Sequence, residues 1–274
     1  MSYTEAPLKI TLLGKLEVRQ GGVLLTHFQH RKTLALLAYL ALTGESHSRE
    51  SLAGLLWGQA SDANALSGLR KVLAELRNAI GPYLLERDRW VSFNAALPCQ
   101  IDVLDFERGV SEAPDQKVEM LDAAKSDALG QAIELYKGDF LAGFYIQRAP
   151  AFEDWVTLQR ERLRLAALDG LYLLSKAAYR QGDFSASIRS TRRLLELEAC
   201  HEEAHRQLMS LLALTGQREL ALRQYERCRD ALAATYDTAP QAETTALYRR
   251  IRQAPNPAAG GSDFHLPVPT TPLL

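Results

Sequence analysis

The stretch SRESLAGLLWGQASDANALSGLRKVLAELRNAIGPYLLERDRWVSF, residues 48–93, decides the fold. Ser48 is a good N-cap, and the residues after it through Trp57 read as a helix. A longer helix is expected from about Asp62 to Ile80. Its Leu66, Leu69, Leu73, Leu76 and Ile80 are spaced three and four apart and so share one buried face. Gly81-Pro82 stops it. LLERDRWVSF then places β-type residues on both sides of the charged run Glu86–Arg89, the pattern of a hairpin.

Upstream, residues 8–26 alternate as strands do, with Gly21-Gly22 as a turn, and predict a small antiparallel sheet. HRKTLALLAYLALTGE follows as a helix ending at Gly44, with Leu34, Leu37, Ala38, Ala41 and Leu42 on one face. Sheet, three helices and hairpin in this order describe a winged helix with an added N-terminal sheet, the hairpin being the wing. The run Leu34–Leu42 is far short of the roughly 20 residues that cross a bilayer. It reads as a core helix.

From about residue 101 strand signals give way to helices. Gly182-Asp183 and Gly216-Gln217 lie 34 residues apart, inside the matching segments AAYRQGDFSASIRS and LLALTGQRELALRQ. A repeat of that period is the mark of a TPR-like array. Each Gly should break between two helices, with Ala186 and Leu220 packing the second helix on the first. Helices at about 119–137, 152–179 and 241–253 should complete the stack, since two repeats alone are marginal. The fold class expected is therefore mainly α: a winged helix over residues 1–105, then an all-α TPR-like helical-repeat domain over 106–253. The Pro- and Gly-rich stretch 254–274 is expected to be a disordered tail or linker.

Bulk charge does not announce a partner. The chain of 274 residues carries a formal net charge of −1, so any nucleic-acid surface has to be a local patch. Cys99, Cys200 and Cys228 are scattered, which argues against a disulfide framework or a zinc ribbon. The N-terminus has no basic and apolar leader, and the expected location is the cytoplasm, away from membrane.

The residues with functional promise sit on the third helix. With its leucines inward, the opposite arc presents Ser67, Arg70, Lys71, Ala74, Arg77 and Asn78. Arg and Lys reach guanine O6 and N7, Asn pairs with adenine, and Ala meets a thymine methyl, so this arc suits a major groove. Arg31, Lys32, Arg49, Arg87 and Arg89 are candidates for DNA phosphate contacts. Residues 31–89 hold eight Lys/Arg against six Asp/Glu, a barely basic balance. The order of the elements, more than the charge, favours double-stranded DNA as the partner.

The segment from Ser48 to Gly81, followed by LLERDRWVSF, resembles the winged helix of SARP/AfsR-type transcriptional regulators. YKGDFLAGFY (136–145), FEDWVTLQRERLR (152–164) and EEAHRQLMSLLALTGQRELALRQYERCRDAL resemble the bacterial transcriptional activator domain (BTAD) of the same regulators. The resemblance covers most of the chain from Leu8 to Gln253. It implies sequence-specific DNA binding, transcriptional activation, self-association on DNA and contact with RNA polymerase. Larger members of that family continue into an ATPase domain, and the proline-rich His265–Leu274 is similar to the lead-in that precedes it.

His201-Glu-Glu-Ala-His205 matches the H-E-x-x-H zinc pattern, but its short length and its place at a helix start favour a structural role. Tyr136, Phe140, Phe144, Tyr145, Trp155, Tyr172 and Tyr179 suggest a peptide groove, although most are expected in the core. No phosphate-binding glycine loop or catalytic triad is present, so neither a cofactor nor catalysis is expected. The alternative to a DNA-binding regulator is a TPR-like scaffold with a winged domain that binds no DNA.

Overall fold

The structure, a computed structural model, describes residues 7–112 and 122–254. The expected tail therefore lies, apart from Ala254, outside the described residues. The chain divides into two compact units, residues 1–112 with 131–166, and residues 113–130 with 167–274.

The first unit opens with β1 (Leu8–Thr11), β2 (Glu17–Gln20) and β3 (Val23–Leu24). Gly21 and Gly22 turn β2 into β3 at φ 57° and 82°, backbone that side chains disfavour. β1 pairs antiparallel with β2, with Ile10 opposite Val18. Three helices follow: α1 (Arg31–Thr43), α2 (Arg49–Trp57) and α3 (Asp62–Ile80), with the two-residue β4 (His47–Ser48) before α2. β5 (Leu84–Arg87) and β6 (Trp90–Phe93) form the hairpin, and β4 joins the outer edge of β6. The hairpin turns on Asp88 and Arg89, with Asp88 left-handed at φ 53°. This is the winged helix.

Two features depart from the sequence reading. α1 is buried on most sides, since Ala35, Leu36 and Leu40 are covered along with Leu37, Ala38 and Ala41. A helix apolar nearly all round goes into the core whole. The second is β7 (Cys99–Ile101), a three-residue strand that lies parallel beside β1 with Leu8 opposite Cys99. Three residues carry too little alternation to declare a strand. β7 leads directly into α4 (Asp102–Ser111). Asp102 accepts hydrogen bonds from the N–H groups of Leu12, Leu13 and Val103 at 2.8 to 3.0 Å. Burial pushes its carboxyl up despite those bonds.

The rest of the first unit comes from the end of α5 (Ala123–Leu135), the connection after it, and the first half of α6 (Pro150–Arg180). That connection adds a strand-like rung to the N-terminal sheet. Leu13 pairs with Phe140, and Leu141 N–H donates to Leu12 O at 2.8 Å. Arg160 holds the same bend by donating to the carbonyls of Phe140 and Leu141 at 2.8 and 2.9 Å. Phe106, Phe140 and Phe152 are fully buried here with Leu8, Ile10, Leu36 and Leu40.

In the second unit, α7 (Phe184–Leu197), α8 (Glu202–Leu214), α9 (Arg218–Tyr236) and α10 (Ala242–Gln253) follow the end of α6. The 34-residue repeat is reproduced bond by bond. Asp183 N–H donates to Ala178 O and Gln217 N–H to Leu212 O, while Gly182 and Gly216 sit at φ 77° and 76°. The packing positions are one residue later than expected. Ser187 and Ala221 are fully buried, whereas Ala186 is half-buried and Leu220 exposed. The helix starts only after the left-handed glycine and the cap that follows it, and this sets the inward phase. Ile188, Leu208, Met209, Leu212, Leu247 and Ile251 form one apolar cluster. Beside it Ser175, Ser187, Thr191 and Gln207 satisfy one another, with Ser175 Oγ 2.6 Å from Thr191 Oγ1 and 2.8 Å from Gln207 Nε2. Such a network fixes the alignment of three helices because any slip would strand buried polar groups.

Candidate nucleic-acid interface

α3 buries Ala65, Leu69, Val72, Leu73, Leu76 and Ile80. Leu66 of the expected stripe is only half-buried, while Ala65 and Val72, outside that stripe, are buried. On the opposite arc Ser67, Arg70, Lys71, Ala74, Arg77 and Asn78 are all exposed. The six candidate base-facing residues thus share one uncovered face. Gly68 sets how closely α3 approaches α2. A Cβ there would fall 2.7 to 2.8 Å from the indole of Trp57, closer than atoms tolerate.

The candidate phosphate contacts have unequal surroundings. Arg87 and Arg89 are exposed on the hairpin. The carbonyl of Arg89 accepts from Arg49 N–H at 2.9 Å, which ties the hairpin turn to the start of α2. Ser48 caps that helix, its hydroxyl accepting from Ser51 N–H at 3.0 Å. Lys32 is engaged within the fold. Its ammonium donates to Leu56 O near the end of α2 and lies 4.5 Å from the centre of the Trp57 ring. A cation at a helix C-terminus is favourable. Burial, then the charge of Arg148, lower the Lys32 pKa. Arg31 stacks over Phe144 at 4.8 Å.

The sequence reading missed two carboxylates that organise this face. Glu86, on β5, accepts from Arg77 Nε at 3.0 Å and from Arg49 Nη2 at 2.6 Å. One carboxylate therefore holds two of the candidate DNA-binding cations. Its signal in the sequence was its sign, an acid at the head of the basic run Glu86–Arg89. Glu75, on α3, accepts from Gln29 N–H, from Thr33 Oγ1 at 2.5 Å and from His30 Nδ1 at 2.9 Å. Burial alone would raise the Glu75 carboxyl, but these bonds together hold it below the usual carboxylate range. The segment before α1 is thereby fastened to α3.

The tempting signals elsewhere have other uses. His201 caps α8, its Nδ1 accepting from Ala204 N–H at 3.2 Å. His205 is buried, with Nε2 2.9 Å from Ala199 O and Nδ1 2.7 Å from Gln224 Nε2. Both ring nitrogens are engaged, so His205 has no lone pair free for a metal. Glu202 accepts from Gln241 N–H and from Thr244 at the start of α10, and Glu203 accepts from Tyr172. Among the described residues no group of three or more His, Cys, Asp or Glu is placed to hold a metal. Of the aromatic set, Tyr136, Phe140 and Phe144 are buried, Trp155, Tyr172 and Tyr179 half-buried, and Tyr145 exposed. No helix among the described residues is long and apolar enough to cross a membrane.

Comparison with known proteins agrees with this architecture. Residues 101–252 match the family model of the bacterial transcriptional activator domain. No curated protein matches the chain. Among solved structures, the fold is similar to that of Mycobacterium tuberculosis EmbR in complex with a low-affinity phosphopeptide. The TM-score is 0.65 at 23% sequence identity, covering 92% of this chain and 66% of that one. The chain thus spans just under two thirds of its solved relative. With a family match over more than half its length, this chain of a winged helix and TPR-like helices belongs to the bacterial transcriptional activator domain family.

Proposed function

We propose that the chain is a sequence-specific DNA-binding regulator, an activator acting in the cytoplasm, in which α3 enters the major groove. The observation that carries this reading is the exposed face of α3. Six residues with base-reading or groove-fitting chemistry lie together opposite a continuous buried stripe. Arg87 and Arg89 on the hairpin contact phosphates, and Arg49 joins them once Glu86 lets go, which also frees Arg77 for the groove. Arg31 is exposed at the start of α1 and contributes from there, whereas Lys32 supports the site from behind. The helical unit carries self-association on DNA and contact with RNA polymerase.

Selection of bound fragments from genomic DNA, followed by footprinting, tests the proposal. A recovered motif, protected by the wild-type chain and lost with Arg70→Ala, is the expected result. Failure to enrich any sequence, together with binding that ignores salt concentration, favours a scaffold that binds no DNA, since groove binding releases counterions.

A further inference from the structure

A cavity of about 810 Å³ opens beside α3 within the first unit. Its walls are Lys71 of α3, Arg31 and Lys32 at the start of α1, Trp57 of α2, and Tyr145 and Gln147 from the connection before α6. The volume falls in the usual range of small-molecule sites, roughly 300–1,000 Å³. No Asp or Glu lines it.

Two smaller cavities each have an acid in the wall, Glu75 in one and Glu196 in the other. Several arginines elsewhere have a carboxylate of their own, as Arg19 has Glu17 and Arg162 has Glu107. Among the described residues, Arg31, Lys32, Lys71 and Arg148 have no carboxylate partner. Like charges gathered without a counter-ion repel, and an anion placed among them relieves the repulsion. The connection is also held in a conformation that side chains disfavour. Leu141 and Arg148 have φ of 52° and 57°, and Gly143 has 69°. Glu153 secures the same segment by accepting from Ile146 N–H at 2.9 Å. Strain of this kind survives where the surroundings over-determine it, and it gathers at ligand sites. Tyr145, 58% exposed, stands at the rim with its ring available for stacking.

We propose that this cavity is an anion site that takes a phosphate group, with Arg31 and Lys71 as donors and Tyr145 beside it. The phosphate comes either from a free phosphorylated small molecule or from the DNA backbone. In the first case the ligand draws on Lys71, a member of the exposed α3 arc, and so competes with DNA. In the second the BTAD-family region itself contributes to the DNA footprint. The free-ligand case stands or falls separately from the function proposed above, whereas the backbone case rests on it.

The test uses the full chain with inorganic pyrophosphate as probe, followed by titration calorimetry, and in parallel DNA binding over a range of salt. Gln147→Glu places a carboxylate in the wall, and Arg31→Gln serves as a second variant should the first not fold. Saturable pyrophosphate binding, weakened about tenfold or more by either variant, establishes a site for a free ligand. No pyrophosphate binding, but a DNA salt slope flattened by about one with Gln147→Glu, establishes the backbone phosphate as ligand. If neither readout moves, the proposal is overturned. If the chain binds no DNA at all, pyrophosphate alone decides: binding supports the site and its absence overturns it.

Discussion

Arg77, on the exposed face of α3, donates through Nε to Glu86 Oε1 at 3.0 Å, while the other oxygen of the same carboxylate takes Arg49 of α2. The hairpin therefore holds two cations from the two helices that flank it. An ion pair this close to water is worth little to stability, about 0 to 1 kcal/mol, so its main effect is on what the cations are free to meet. Glu86→Gln is expected to leave thermal stability within about 1 kcal/mol. It should also tighten binding to unrelated DNA and steepen the salt dependence by up to about one ion. Anisotropy titrations at several salt concentrations check this. An unchanged slope would mean that Arg49 does not approach phosphate.

Base contacts and phosphate contacts should separate in their signatures. Arg70→Ala is expected to weaken binding to the selected motif by about 1–3 kcal/mol, with little effect on random DNA. Arg89→Ala should weaken both equally and flatten the salt slope by about one. Competition between motif and scrambled duplexes measures the difference. Equal losses on both duplexes for Arg70→Ala would remove α3 as the reader.

Gly68→Ala forces a methyl group into the Trp57 ring. The ring also seats the Lys32 ammonium that caps α2, so displacing it disturbs both helices. The expected cost is about 1–3 kcal/mol, the usual range for overpacking. It should appear as a lowered Tm with near-wild-type helix content by circular dichroism. A Tm equal to wild type would show that Trp57 has room to move.

His205 gives the helical unit a pH dependence. Burial lowers its pKa below the ordinary 6.5, outweighing the raising effect of its contacts with Ala199 and Gln224. The folded state thus prefers the neutral ring. The stability this provides is complete above pH 6.5 and is lost as pH falls through that value toward the depressed folded pKa. Unfolding by urea between pH 7.5 and 5.5 should show wild-type stability falling. His205→Gln should be less stable at pH 7.5 and change less across the window. Parallel curves for the two proteins would contradict this reading.

Much of this architecture was legible because it rests on periodicity and punctuation. The leucine spacing of α3 announced a buried stripe, and Gly182 and Gly216 announced the 34-residue repeat. What escaped was set by partners far away in sequence. β7 exists because Leu8 lies across from Cys99, and nothing within three residues can show that. Ser187 and Ala221 face inward, displacing Ala186 and Leu220, because a left-handed glycine and a cap delay the helix start. The exposed arc of α3 followed from its own stripe. Glu86 and Glu75 were not foreseen, because a carboxylate's partner is chosen by tertiary proximity. GDFLAG lies within the segment that carries the family resemblance, but its pairing with Leu12, Leu13 and Gly14 is a long-range event.

That pairing has a consequence for how the molecule is made. The N-terminal sheet receives its last rung from residues near 140, and two of its largest core side chains are Phe140 and Phe152. A chain emerging from the ribosome at roughly 5–20 residues per second will have α1 to α3 outside for several seconds before those rings follow. During that interval Leu12, Leu13 and their neighbours have only part of their cover. The first unit thus closes only after residues 131–166 have followed the winged helix out, and a nascent chain arrested before Phe152 should be markedly more open to protease than one released after Ala166.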